Sequence, residues 1–142
     1  MVAEGRSGVE EASQIAGTER CKLVAISVLT SMDAEALASI GVTSPIEEEV
    51  ARLASLAVGA GSDGIVCSPQ EAAQMRALVG PDALIVTPGI RPAGADVGDQ
   101  KRVMTPAAAK EIGSDYIVVG RPITAAADPV AAYERCVAEF CD

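Results

Sequence analysis

Ala83-Leu-Ile-Val-Thr-Pro-Gly-Ile-Arg91 and Tyr116-Ile-Val-Val-Gly-Arg-Pro-Ile-Thr124 are the two segments whose reading decides the fold. Each is a short apolar run that ends in a turn carrying glycine and arginine. A strand that stops this way brings a bare backbone N–H and a forked guanidinium to one spot, a pairing suited to a phosphate. Between the two lies Gly98-Asp99-Gln100-Lys101-Arg102, too polar for a core and too long for a mere connection. For either arginine alone, a solvated side chain after a strand fits equally well. Their repetition, with a glutamine between, favours one shared anion site.

Outward from this stretch a punctuation repeats. Ser44-Pro45, Ser68-Pro69, Thr105-Pro106 and Asp128-Pro129 each put a capping side chain before a proline, the pattern of an N-cap followed by proline at the first helical position. Glu47 and Glu71 stand three residues after the first two caps and predict capping boxes. Helices are expected over 45–60, 69–79, 106–112 and 129–140, with Gly61, Gly80 and Gly113 as stops after the first three. Ile46, Val50, Leu53 and Ala57 give the first of them an apolar face.

Strands are expected at 64–67, 83–87 and 116–119, each before a helix. A further one lies in Lys22-Leu-Val-Ala-Ile-Ser-Val-Leu-Thr30, whose unbroken apolar run is that of a strand covered on both faces. A short helix over 33–39 follows, stopped by Gly41. Alternating strand and helix with short links predicts an α/β fold with a parallel sheet and right-handed crossovers, either a barrel or an open twisted sheet. A complete eight-stranded barrel takes ~250 residues, so four TIM-barrel type (β/α) units in 142 residues make about half of one, a half-barrel. Its outer strands, near Leu23 and Ile117, would present apolar edges. Another chain, a self-pairing of halves, or a missing N-terminal half must cover them. Residues 1–142 thus read as a single partial domain, with 1–20 a polar lead-in holding one short helix near 9–15, like the end of something whose beginning is missing.

Composition agrees with a globular domain built from aliphatic side chains: hydrophobic residues are 49%, charged ones 22% and aromatics only 2%. The net charge of −9 argues against a nucleic-acid surface, which needs an excess of Lys and Arg. Cys21, Cys67, Cys136 and Cys141 lack C-x-x-C spacing, and without histidine the usual zinc sets do not arise. They read as reduced thiols, Cys67 buried and Cys141 exposed. The start lacks the apolar run of a signal peptide and no segment reaches membrane-spanning length, so a cytoplasmic location is expected.

In barrels the site lies where strands end, and phosphate is often held after the seventh and eighth strands. Gly120 would admit the anion to the backbone, Arg121 would add charge and a forked donor, and Arg91 and Gln100 would close over it. Thr30 and Ser31 end the first strand at the same rim, where a hydroxyl can bond a polar ring or amide. A capping turn before Asp33 fits that pair equally well. No histidine is present, and Lys22, Lys101 and Lys110 are not at strand ends beside carboxylates. The chain reads as a binding half without a proton donor.

Leu29-Thr30-Ser31, Asp63-Gly-Ile-Val-Cys-Ser68, Val86-Thr-Pro-Gly-Ile-Arg-Pro92, Gly98-Asp-Gln-Lys-Arg-Val103, Thr105-Pro106 and Ile117-Val-Val-Gly-Arg-Pro-Ile-Thr124 resemble the C-terminal half of bacterial orotidine 5′-phosphate decarboxylase. The resemblance runs over about 22–140. It implies a barrel carboxy-lyase that converts orotidine 5′-monophosphate to uridine 5′-monophosphate and carbon dioxide without metal or organic cofactor. It further implies that Arg91, Gln100, Gly120 and Arg121 hold the phosphate and that Thr30 contacts the pyrimidine side. The family's Asp-x-Lys-x-x-Asp motif, whose lysine protonates the carbon that loses carbon dioxide, has no counterpart in this sequence. Two other readings stay open: a non-catalytic nucleotide- or phosphate-binding half-barrel, and a related phosphosugar enzyme such as a hexulose-phosphate synthase. Thr87-Pro-Gly-Ile-Arg91 and Asp99-Gln100 favour the decarboxylase family over the last.

Overall fold

The computed structural model describes residues 1–17, 19–94 and 102–141. Along the chain run α1 (Val2–Ala16), β1 (Val24–Ile26), α2 (Ala34–Ser39), α3 (Ile46–Gly59), β2 (Gly64–Val66) and a 3₁₀ turn (Pro69–Glu71) leading into α4 (Ala72–Val79). Then come β3 (Leu84–Thr87), α5 (Pro106–Glu111), β4 (Tyr116–Ile117), α6 (Arg121–Thr124) and α7 (Pro129–Cys141). Among the described residues the strands form one parallel sheet in the order β1-β2-β3-β4. This is the expected half-barrel arrangement, with shorter strands: only 24–26 of the first apolar run joins the ladder, and Ser27 N–H extends it to the Val66 carbonyl at 3.0 Å.

Because side chains alternate across a strand, each row of register-matched residues faces one side. Ile65 and Ile85 are paired and fully buried, packed with Val50, Ala54 and Met75 from the helices. The next row, Ile26, Val66, Val86 and Tyr116, lies on the opposite face. Its ends are open, with Ile26 63% and Tyr116 57% exposed. An apolar inner face left half-covered is what half of a barrel presents.

The caps behave as their chemistry dictates, with one exception. Ser68 and Glu71 form the capping box, the Thr105 hydroxyl accepts the Ala108 N–H, and Asp128 accepts the N–H groups of Val130 and Ala131. Ser44 does not cap α3. Its hydroxyl donates to Glu49 at 3.3 Å, and Pro45 takes the N-cap position without a side-chain bond. Glu49, held also by Arg52, takes the place of Glu47 as the partner of Ser44.

Two helices depart from expectation. α1 spans 15 residues rather than the short 9–15 segment. Gly5 and Gly8 lower its intrinsic propensity, but Arg6 bonds Glu10 one turn away and reaches the Gly61 carbonyl at 2.7 Å, anchoring the helix under the sheet. Tertiary contact outweighs propensity here. α6 has no signal in the sequence: the Gly-Arg-Pro turn closes into a single helical turn, with the Ile123 and Thr124 N–H groups donating to the Gly120 carbonyl.

A repeated device locks the lower ends of the strands. Ser62-Asp63 and Ser114-Asp115 precede β2 and β4, and each aspartate accepts an N–H from the neighbouring strand segment: Leu23 to Asp63 at 2.7 Å and Ile85 to Asp115 at 2.7 Å. Each also holds an arginine, Arg20 on Asp63 through both oxygens and Arg76 on Asp115. The Arg20 guanidinium holds the Asp63 carboxyl well below the usual carboxylate range, against a smaller opposing effect of burial. A depressed folded value means that this stabilisation is complete above the unfolded carboxyl value of about 3.9 and is withdrawn as pH falls below it. Asp63→Asn is therefore expected to cost about 1–2 kcal/mol at pH 7 and to flatten the loss of stability between pH 5 and 3. Urea unfolding of both proteins at the two pH values checks this; parallel acid losses would exclude Asp63 as the source.

Candidate phosphate-binding rim

The C-terminal strand ends gather the chemistry-bearing residues. After β1 comes Thr30, buried beneath the rim. After β3 comes Arg91, and after β4 the pair Gly120-Arg121. Sheet order makes the Arg91 and Gly120-Arg121 turns neighbours, with Thr30 two strands away from β3. Gln100, with Gly98, Asp99 and Lys101, lies outside the described residues.

Arg91 is buried rather than open. Its guanidinium donates to its own Ile90 carbonyl at 2.8 Å, and its N–H donates to the Met104 carbonyl at 2.9 Å. Gly89 precedes it at φ 80, a left-handed conformation that glycine adopts without strain. The Thr-Pro-Gly turn thus folds the arginine back onto the strand end. Arg121 is exposed at the first position of α6, and a methyl group on Gly120 would meet nothing within 4 Å. The Gly120-Arg121 turn thus lies at the surface, on the strand next to the one that leads to the buried Arg91.

Two residues of this rim carry more than the sequence assigned to them. Glu71, read only as a capping residue, accepts the Ser68 N–H at 3.0 Å and also pairs with Arg102. Arg102, read as part of a polar loop, is half-buried with its side chain 11% exposed, and its Nη2 donates to the Leu29 carbonyl at 3.0 Å. Burial lowers the Arg102 guanidinium from its usual value. Its Nε is buried without a partner among the described residues. Beside it, burial pushes the Cys67 thiol up to about 11, an effect that the Arg102 charge partly offsets, so Cys67 is an inert core thiol near neutral pH. Cys21 and Cys141 are exposed and Cys136 is buried, all four being free.

Four parallel strand-helix units with these turns on their C-terminal rim define a half-barrel of the (β/α)₈ class. The sequence pattern of the orotidine 5′-phosphate decarboxylase / HUMPS family matches residues 1–136, and the chain belongs to that family. It is 52% identical to the orotidine 5′-phosphate decarboxylase of Gluconobacter oxydans over 140 residues, covering 99% of this chain and 59% of that protein. It is 60% identical to that of Methylobacterium nodulans over 119 residues, covering 84% and 50%. The crystal structure of the Lactobacillus acidophilus orotidine 5′-phosphate decarboxylase superposes with a TM-score of 0.80 at 41% identity, covering all of this chain and 58% of that one. The chain therefore spans little more than half the length of these relatives. Among its described residues no helix is long and apolar enough to cross a membrane.

Proposed function

We propose that this chain is the phosphate-gripping half of an orotidine 5′-phosphate decarboxylase, acting in the cytoplasm in pyrimidine biosynthesis. The observation that carries the reading is the adjacency of two strand ends, β3 and β4, that finish in Arg91 and in Gly120-Arg121. Gly120 admits the phosphate to the backbone, and Arg121 gives it a charge-assisted hydrogen bond. Arg91 adds positive potential from behind, Gln100 closes over the anion, and Thr30 serves the pyrimidine side. No metal or organic cofactor belongs to the reading.

In the reaction the bond from the ring to the carboxylate breaks, carbon dioxide leaves, and the electron pair stays on the ring carbon until a proton arrives. The residues of this chain hold the far end of the substrate while that happens. Binding energy from a remote phosphate accelerates a reaction only when a reacting centre exists to use it. The lysine and aspartates that form this centre in the family belong to an N-terminal half-barrel, which would dock against the open face and edges. An apolar cleft of about 390 Å³ between β4 and α7, lined by Ile117, Val119, Ile123, Tyr133, Val137 and Phe140, fits such a neighbour.

The test is calorimetric titration of the purified chain with uridine 5′-monophosphate. Saturable binding is expected, and Arg121→Ala weakens it about tenfold, the lower range for a charge-assisted bond because Arg121 is exposed. Unchanged affinity in that variant removes Arg121 from the site. The exposed Ile26 and Tyr116 support a second reading, in which two copies of the chain cover each other's inner faces and bind nucleotide without catalysis. Size-exclusion chromatography of the same sample distinguishes that dimer.

A further inference from the structure

The Glu71–Arg102 ion pair has no part in the proposed chemistry, yet among the described residues it is the most enclosed pair of opposite charges on the rim, with side chains 5% and 11% exposed. Buried charges are costly unless each finds good partners, and here the partners belong to three different strand ends. Glu71 ends the 3₁₀ turn after β2, and its second oxygen accepts the Ser68 N–H. Arg102 Nη1 meets Glu71, while Nη2 donates to the Leu29 carbonyl at 3.0 Å with the Val28 carbonyl at 3.4 Å, directly before Thr30. Two residues past Arg102, the Met104 carbonyl accepts the Arg91 N–H, and Met104 forms an isolated parallel bridge with Ile90 after β3.

We propose that the Glu71–Arg102 pair is a positioning device that seats residues 102–104 against the rim and thereby fixes Arg91 and Thr30 relative to one another. A guanidinium can do this because its planar fork serves a carboxylate with one nitrogen and a backbone carbonyl with the other. An ammonium has three donors, but they share one nitrogen and lack the fixed two-nitrogen geometry of the fork. The benefit to ligand binding rests on the reading of Arg91 and Thr30 as site residues; the positioning itself does not.

The experiment is amide hydrogen exchange by NMR on the full chain, comparing the parent with Glu71→Gln and Arg102→Lys. Glu71→Gln keeps an acceptor for the Ser68 N–H but replaces the oxygen that meets Arg102 with an NH2 donor, so the charge and the pairing are lost together. The Arg91 amide, protected by the Met104 carbonyl, is expected to exchange about tenfold faster in both variants. The amides of Ser27 and Cys67, which bond Val66 and Val86 in the sheet, stay within about twofold of the parent. An unchanged Arg91 amide overturns the proposal, as does a uniform acceleration of all amides, which would be general loosening. If one variant fails to fold, the other still decides. Uridine 5′-monophosphate is then titrated into the same samples. Weaker binding by Glu71→Gln than by the parent supports a benefit of the positioning to the ligand, and equal binding with a released Arg91 amide overturns that benefit while the positioning stands. A parent that binds no nucleotide removes the ligand reading, while the amide result still decides the positioning.

Discussion

Gly64→Ala is expected to destabilise the chain by about 3 kcal/mol, the upper end of the usual cost of overpacking a close-packed site, because backbone must yield. A methyl group at this position would stand 2.2 Å from the Leu84 carbonyl oxygen and 2.6 Å from Leu84 Cβ. Neither atom is the free end of a flexible side chain. Leu84 is the register partner of Gly64, and its N–H is committed to the Asp63 carbonyl at 2.9 Å. Relief would require parting β2 from β3 in the middle of the sheet. Against a total stability of roughly 5–15 kcal/mol, such a loss leaves a marginal fold. Gly59→Ala is the control: it ends α3, a methyl there meets nothing within 4 Å, and alanine favours a helix. Urea unfolding should find Gly59→Ala unchanged or slightly more stable and Gly64→Ala with its midpoint sharply lowered. Equal midpoints for Gly64→Ala and the parent would mean that the β2–β3 contact is not as close as described.

The glycine also illustrates what a sequence can and cannot say. Asp63-Gly-Ile-Val-Cys67 announces a strand through its apolar run, and the Ser68-Pro69 cap with Glu71 announces the helix that follows. Both signals are local, and both elements form. That Gly64 is there because Leu84 crosses within van der Waals distance is a relation between residues 20 apart, which periodicity does not encode. The same division runs through the rim. Gly120-Arg121 and the Thr-Pro-Gly-Ile-Arg91 turn are legible because strand ends are marked by glycine and proline. The inward fold of Arg91 is not legible, because it depends on Met104 returning to bond the Arg91 N–H. Ser44 shows the limit even for caps: Glu47 has the capping-box spacing, but Glu49 wins the hydroxyl once Arg52 has oriented its carboxylate. α1 forms against the propensity of its glycines because Arg6 finds Gly61, 55 residues away.

With orotidine 5′-monophosphate and this chain alone, no uridine 5′-monophosphate is expected above the uncatalysed rate, a deficit of at least about six orders of magnitude against an ordinary enzyme. The reasoning is one of charge and proton supply. The three lysines of the sequence are Lys22, Lys101 and Lys110, and the first and last lie before β1 and within α5, away from the strand ends that form the rim. Lys101 follows Asp99 and Gln100, but Met104 stands where the family's second aspartate would complete the motif. A held phosphate without a proton donor at the ring carbon stabilises substrate and transition state alike, which does not raise turnover. Adding the N-terminal portion of a relative such as the Gluconobacter oxydans protein, the part that this chain does not match, should restore turnover if the two halves dock. The docking face makes a further demand. Ile26 and Tyr116 close the two ends of the inner apolar row and are exposed in the isolated chain, so a carboxylate there would be buried unpaired in the assembled barrel. Tyr116→Asp should therefore leave the lone chain folded, because that side chain already meets water, and abolish complementation. Turnover by the lone chain would overturn the division of labour between the halves; complementation that survives Tyr116→Asp would mean that the second half docks elsewhere than on the open inner face.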